Sequence, residues 1–224
     1  MDIPSELYRS IGEFSMIRDI ISLSGVDKHI DESIGDDNFW KDLTLRDYGF
    51  TLQNEHMLHR DKYRTIYSIV TDPEVYFFNL IEDSNGDNKY IEKVLADLVV
   101  TGDDPCKLIR ILHSEYEHAR DSVHDNVDLI YEAMEDDNFI YRGGMSDSTA
   151  SYFADYVVTI GRENLHQFKE NPLNFFIENI DLFAIPERST PDWNYNIRFK
   201  TNEGFWTYAL YHLEDHIPCI ASLY

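Results

Sequence analysis

Apolar residues recur at helical spacing along most of the chain. In the first fifty residues, Leu7, Ile11 and Phe14 follow one another at intervals of four and three, and similar short stripes come after them. Such intervals place side chains on one face of a helix. The pattern predicts a compact bundle of short helices joined by short turns over residues 1–50.

Local start signals mark several helices further along. An Asp or Asn side chain that accepts a hydrogen bond from the first turn, or a Pro just inside that turn, favours the beginning of a helix. The chain has such signals at Asp36-Asp37-Asn38, Asp72-Pro73, Asp104-Pro105 and Asn171-Pro172. We expect a helix to begin near each of them.

Two apolar stripes predict amphipathic helices between these signals. Tyr63, Ile66, Tyr67 and Val70 form the first, between Leu58 and Val70. The second has the clearest helical period in the sequence, and its members are Tyr90, Ile91, Val94, Leu95, Leu98 and Val99.

The pattern changes near the end of the chain. Trp193, Tyr195, Ile197 and Phe199 alternate with polar residues, which is the period of a β-strand, and the aromatic run 205–208 follows a Gly. We therefore predict a C-terminal β-hairpin built from these two segments. The complete fold prediction is mainly α, with a helical bundle at 1–50 and a helical domain at 51–224 that the hairpin closes.

The composition and net charge of the chain disfavour some classes of function. The chain has 224 residues, of which 43% are apolar, and a net charge of -23. Between Asp72 and Asp137 there are 18 acidic and 5 basic residues. A negatively charged surface repels nucleic acid and anionic membrane. A well-solvated helical surface is the favoured interpretation, and an acidic face that docks a basic partner or imitates DNA is the alternative.

Other sequence features predict where the protein resides. No apolar run approaches the ~20 residues of a membrane span, and the N-terminus lacks the features of a signal peptide. Cys106 and Cys219 are the only cysteines, too few for a disulfide framework or a structural zinc site. We expect a reducing compartment, the cytoplasm or nucleus.

An ordered set of short motifs runs from Ile3 to Gly49. It opens with Ile3-Pro4-Ser5-Glu6, continues with Asp19-Ile20-Ile21-Ser22-Leu23-Ser24-Gly25-Val26, and closes with Asp37-Asn38-Phe39-Trp40-Lys41-Asp42-Leu43 before Tyr48-Gly49. In order and spacing this segment resembles the F-box family, particularly the divergent F-box-like proteins encoded by large DNA viruses.

The resemblance implies a function in protein binding. It implies an adaptor that recruits an unknown target protein to a Skp1-containing ubiquitin ligase, in a host cell or virion if the protein is viral. The residues expected to contact a Skp1-like protein are Pro4, Leu7, Ile11, Ile20, Ile21, Val26 and Trp40. The alternative is a non-catalytic structural or virion-associated protein that uses the F-box-like bundle only for packing.

Catalytic and metal chemistry have weaker support in the sequence. Two Glu-x-x-His pairs, Glu115/His118 and Glu163/His166, have the spacing found in di-iron bundles, but such pairs also arise by chance. Tyr141-Arg142-Gly143, Ser189-Thr190 and Glu203 resemble an ADP-ribosyltransferase only vaguely. We therefore predict no cofactor, no metal and no enzymatic activity.

Overall fold

The computed structural model describes residues 36–135, 147–183, 185–186, 195–196, 205–217 and 219–223. Nine α-helices make up most of this part of the chain, and the predicted mainly helical fold is confirmed. The chain divides into two compact units. Of the described residues, unit 1 contains 36–71 and Asp97–Leu108, while unit 2 contains Asp72–Ala96 and those from 109 onward. Since the predicted boundary at residue 50 depends largely on residues 1–35, which lie outside the described residues, it stays a prediction.

Unit 1 contains two helices and a pair of extended segments. The helices are α1 (Asp37–Tyr48) and α2 (His59–Thr71). Leu52 forms an antiparallel bridge with Val100. On either side of this bridge, the Gln53 N–H donates to the Val99 carbonyl and the Thr101 N–H donates to the Thr51 carbonyl, both at 2.8 Å.

The ends of α1 follow from its flanking residues. The Asp36 side chain accepts a hydrogen bond from the Asn38 N–H at 3.0 Å, which satisfies a backbone donor that the first turn leaves free. Gly49 adopts the left-handed conformation with φ 76°, and its N–H donates to the Leu45 carbonyl. The start of α1 agrees with the sequence prediction.

Unit 2 contains most of the remaining helices. Those with their larger part in this unit are α3 (Pro73–Ser84), α4 (Asn88–Asp97), α5 (Lys107–Glu135), α6 (Asp147–Thr159), α7 (Arg162–Glu170), α8 (Pro172–Phe183) and α9 (Phe205–Glu214), followed by a 3-10 helix (Ile220–Leu223). β1 (Ile185–Pro186) pairs antiparallel with β2 (Tyr195–Asn196). None of the described helices is both long enough and apolar enough to cross a membrane.

Aromatic side chains fill the core of unit 2. Phe153 of α6 contacts Phe168 of α7 and Phe176 of α8, with ring centroids 5.6 Å apart in both pairs. Trp206 of α9 is fully buried. Its ring centroid lies 5.1 Å from that of Phe77 of α3 and 6.1 Å from that of Tyr116 of α5. These contacts link six helices in two groups of three through apolar burial, which is the largest favourable contribution to folding.

The prediction of a second hairpin strand at residues 205–208 is wrong. Residues 205–208 belong to α9, and β2 pairs with Ile185–Pro186 instead. Trp206, Ala209, Leu210 and Leu213 are all buried, and their spacing places them on one face of a helix. The packing of this face on unit 2 therefore overrides the β-propensity of the aromatic run. Of the first predicted strand, only Tyr195–Asn196 lies within the described residues.

Candidate interaction surface

The inner face of α1 forms a small aromatic core with α2. Phe39, Trp40, Leu43 and Tyr63 are all buried and pack as one cluster. The ring of Trp40 lies edge-on to Phe39, at a centroid distance of 5.7 Å, and to Tyr63, at 5.5 Å. The described end of the F-box-like segment is thereby attached to a helix that follows it in the chain.

Trp40 is the predicted binding residue whose position is described. Its side chain is only 3% exposed, so within unit 1 it contributes to the core. Its contact with a partner stays a prediction. The other predicted binding residues, Pro4, Leu7, Ile11, Ile20, Ile21 and Val26, lie outside the described residues.

A hydrogen bond holds the aromatic core at its polar edge. The Tyr63 hydroxyl donates to Oδ2 of Asp47 at 2.9 Å. The ring centroids of Tyr48 and Tyr63 are 5.5 Å apart. Burial, together with the adjacent Asp47 carboxylate, raises the pKa of Tyr63 well above its ordinary value. Tyr63 is therefore a neutral donor that fixes the orientation of its own ring.

A buried lysine ties α2 to the extended segment. Lys62 is 5% exposed, and its Nζ donates to the Leu52 carbonyl at 3.0 Å. Burial lowers the pKa of Lys62, while the Asp37 carboxylate acts in the opposite direction. The backbone N–H of His59 also donates to Oδ1 of Asp37, at 2.7 Å. These bonds fix the start of α2 against both α1 and residue 52.

Several side chains of α2 are open to solvent. Arg60, Arg64 and Tyr67 lie along one stripe of the helix, with Val70 one turn beyond Tyr67, and we call this set the α2 outer face. The amphipathic helix predicted between Leu58 and Val70 does form. However, Tyr67 is 41% exposed and Val70 is 46% exposed. The apolar part of the buried face uses Ile69 instead, which is three residues after Ile66 and therefore on the same side of the helix.

Two side chains of the α2 outer face contact the aromatic core beneath them. The ring of Tyr67 stacks nearly parallel to that of Tyr63, at 6.4 Å and 15°. The guanidinium of Arg60 lies over the ring of Trp40, 5.6 Å from its centroid. These side chains are exposed to solvent yet supported by buried rings. The sequence pattern missed this arrangement because it placed Tyr67 among the core positions.

Unit 2 contains a buried polar cluster. Asp155 of α6 is 7% exposed, accepts a hydrogen bond from the Tyr116 hydroxyl of α5, and lies 3.0 Å from Nε of Arg120. Burial raises the pKa of Asp155, and Tyr116, Arg120 and His124 oppose that rise. Because Asp155 has both a donor and a counter-charge, the cluster accounts for the burial of a carboxylate within the fold.

The histidines of the two Glu-x-x-His pairs, His118 on α5 and His166 on α7, are both exposed. Glu163 and His166 are both exposed on α7, and His166 lies 3.6 Å from Glu170. Within the described ranges, no three His, Cys, Asp or Glu side chains are close enough to hold a metal ion. The residues compared with ADP-ribosyltransferases, Tyr141-Arg142-Gly143, Ser189-Thr190 and Glu203, lie outside the described residues.

No relative of this chain was found among known proteins. None of the protein-family models, curated proteins or solved structures matches this chain.

Proposed function

We propose that the chain is an F-box-like adaptor that binds a Skp1-like protein and recruits a second protein to a ubiquitin ligase. The observation that carries this proposal is the order and spacing of the F-box-like motifs between Ile3 and Gly49. Because an adaptor acts by holding two proteins together, the proposed function requires no catalytic group.

The described end of the segment supports the proposal. Residues 37–48 form a single helix that is capped at both ends, and its apolar face packs inward on Tyr63. A Skp1-like partner would then contact apolar residues of this segment, for which we propose Pro4, Leu7, Ile11, Ile20, Ile21, Val26 and Trp40. The proposed location is the cytoplasm or nucleus, in a host cell or virion if the protein is viral.

A co-purification experiment tests the proposal. The full chain is co-expressed with a Skp1-like protein, purified through a tag, and passed over a size-exclusion column. We expect one complex for the wild type, and loss of the complex for the double variant Pro4→Ala/Leu7→Ala. The control is Ile177→Ala, which removes an apolar side chain that is 42% exposed in unit 2. Circular dichroism must show that both variants remain folded.

A second function is favoured by the burial of Phe39, Trp40 and Leu43 against Tyr63. In this alternative the F-box-like bundle is a packing element of a non-catalytic structural or virion-associated protein. The wild-type chain would then elute alone in the same experiment, and truncation of residues 1–35 would destabilise unit 1 without removing any partner.

A further inference from the structure

We propose that the α2 outer face is a second docking site, which binds an acidic and apolar segment of the recruited protein. The face belongs to residues 60–70, beyond the F-box-like segment that ends at Gly49. Its assignment to the recruited protein rests on the proposed adaptor function, whereas the chemistry of the face comes from the structure alone.

Two exposed side chains of the α2 outer face are held in place by buried rings. Tyr67 is 41% exposed but stacks on the buried ring of Tyr63, and Arg60 is exposed but lies over the buried ring of Trp40. A side chain that is already held loses less conformational entropy on binding. Tyrosine and arginine are also the residue types that contribute most often to binding energy at interfaces.

The α2 outer face carries two positive charges. Arg60 and Arg64 are one helical turn apart and therefore lie side by side. Asp61 is 3.9 Å from Arg64, but both side chains are more than half exposed, so water screens this pair and leaves Arg64 available. Arginine pairs readily with carboxylates because its planar guanidinium can donate two parallel hydrogen bonds.

The rest of the chain is far more acidic than the region around α2. Residues 36–71 have 6 acidic and 5 basic side chains, whereas the whole chain has a net charge of -23. An acidic partner is repelled by most of this protein and encounters two adjacent arginines on α2. Tyr67, three residues after Arg64, supplies apolar contact beside those arginines, and Val70 lies three residues beyond Tyr67. The face therefore fits a segment in which carboxylates flank an apolar residue.

Selection from a random peptide library tests the docking site. The library is displayed on phage and selected on the immobilised full chain. We expect the enriched peptides to combine Asp or Glu with aromatic or aliphatic residues. Their affinity should fall at least about tenfold for Arg64→Glu and for Tyr67→Ala. Arg162→Glu is the matched control, since it reverses an arginine of unit 2 that is 53% exposed, and it should leave the affinity unchanged.

Three results would overturn the docking site. They are the absence of any enriched peptide, the enrichment of basic peptides, and equal binding by the wild type and Arg64→Glu. Binding of a purified Skp1-like protein is measured on the same variants. Loss of peptide binding with intact Skp1 binding in Arg64→Glu supports two separate surfaces. A chain that binds acidic peptides but no Skp1-like protein disproves the adaptor function and leaves the docking site standing.

Discussion

The ring of Trp40 packs edge-on against the ring of Tyr63, with the two centroids 5.5 Å apart and the planes at 61°. Trp40 lies in the last motif of the F-box-like segment, and Tyr63 lies on α2, beyond that segment. The contact makes α2 part of the same core. It also lies directly beneath Arg60 and Tyr67, so the stability of this core and the shape of the α2 outer face depend on each other.

Replacing Trp40 tests this core. Trp40→Ala removes a ring that is 3% exposed, and large-to-small changes of this kind cost about 3–5 kcal/mol. We expect such a loss in the free energy of unfolding of unit 1, measured by urea denaturation with circular dichroism. Leu45→Ala, on the same helix but at a side chain that is 42% exposed, should cost far less. Equal losses for the two variants would contradict the assignment of Trp40 to the core.

The hydrogen bond between Tyr116 and Asp155 provides a second test. Tyr116→Phe removes the hydroxyl donor and leaves a buried carboxylate with one fewer partner, which costs about 1–3 kcal/mol. The measurement is the free energy of unfolding of the full chain at neutral pH. Tyr211→Phe is the control, because Tyr211 is 63% exposed. A Tyr116→Phe variant as stable as the control would show that this bond contributes nothing.

The pH dependence of stability tests the environment of Asp155. Burial raises the folded-state pKa of Asp155 above its ordinary value of 3.8. The folded state therefore binds this proton more tightly than the unfolded state does. The resulting stabilisation is fully present below pH 3.8 and is lost as the pH rises through the raised folded-state pKa.

The control for this pH dependence is the variant Asp155→Asn, whose side chain cannot titrate. The melting temperature of the wild type, relative to that of Asp155→Asn, should rise as the pH falls from 7 towards 4. A difference that stays constant over this range would show that burial does not perturb Asp155. A difference that falls would show that the pairing with Arg120 and Tyr116 outweighs burial.

Local signals allowed several helix boundaries to be predicted. The side chain of Asp72 caps α3, with Pro73 in its first turn, and Pro172 begins α8 as expected. These boundaries depend on residues that are adjacent in the chain, so the sequence contains the necessary information. The stripe that begins at Tyr90 was predicted too long, because α4 ends at Asp97 and Val100 bridges to Leu52.

Features that depend on distant contacts were not predictable from the pattern. Tyr116 and Asp155 are 39 residues apart, and neither has a local signal that pairs it with the other. The sequence pattern placed Tyr67 on the buried face of α2, but Tyr67 is exposed and Ile69 is buried instead. The aromatic run 205–208 has a high β-propensity, yet Trp206 is placed by its contacts with Phe77 and Tyr116.

Titration of the full chain with a purified Skp1-like protein tests the adaptor function most directly. Isothermal titration calorimetry should give a dissociation constant that is micromolar or lower for the wild type and for Ile177→Ala. For Pro4→Ala/Leu7→Ala it should be at least about tenfold weaker, a loss of about 1.4 kcal/mol, with little change in melting temperature. No binding by the wild type at micromolar concentrations, or equal affinity for the wild type and the double variant, would contradict the adaptor function.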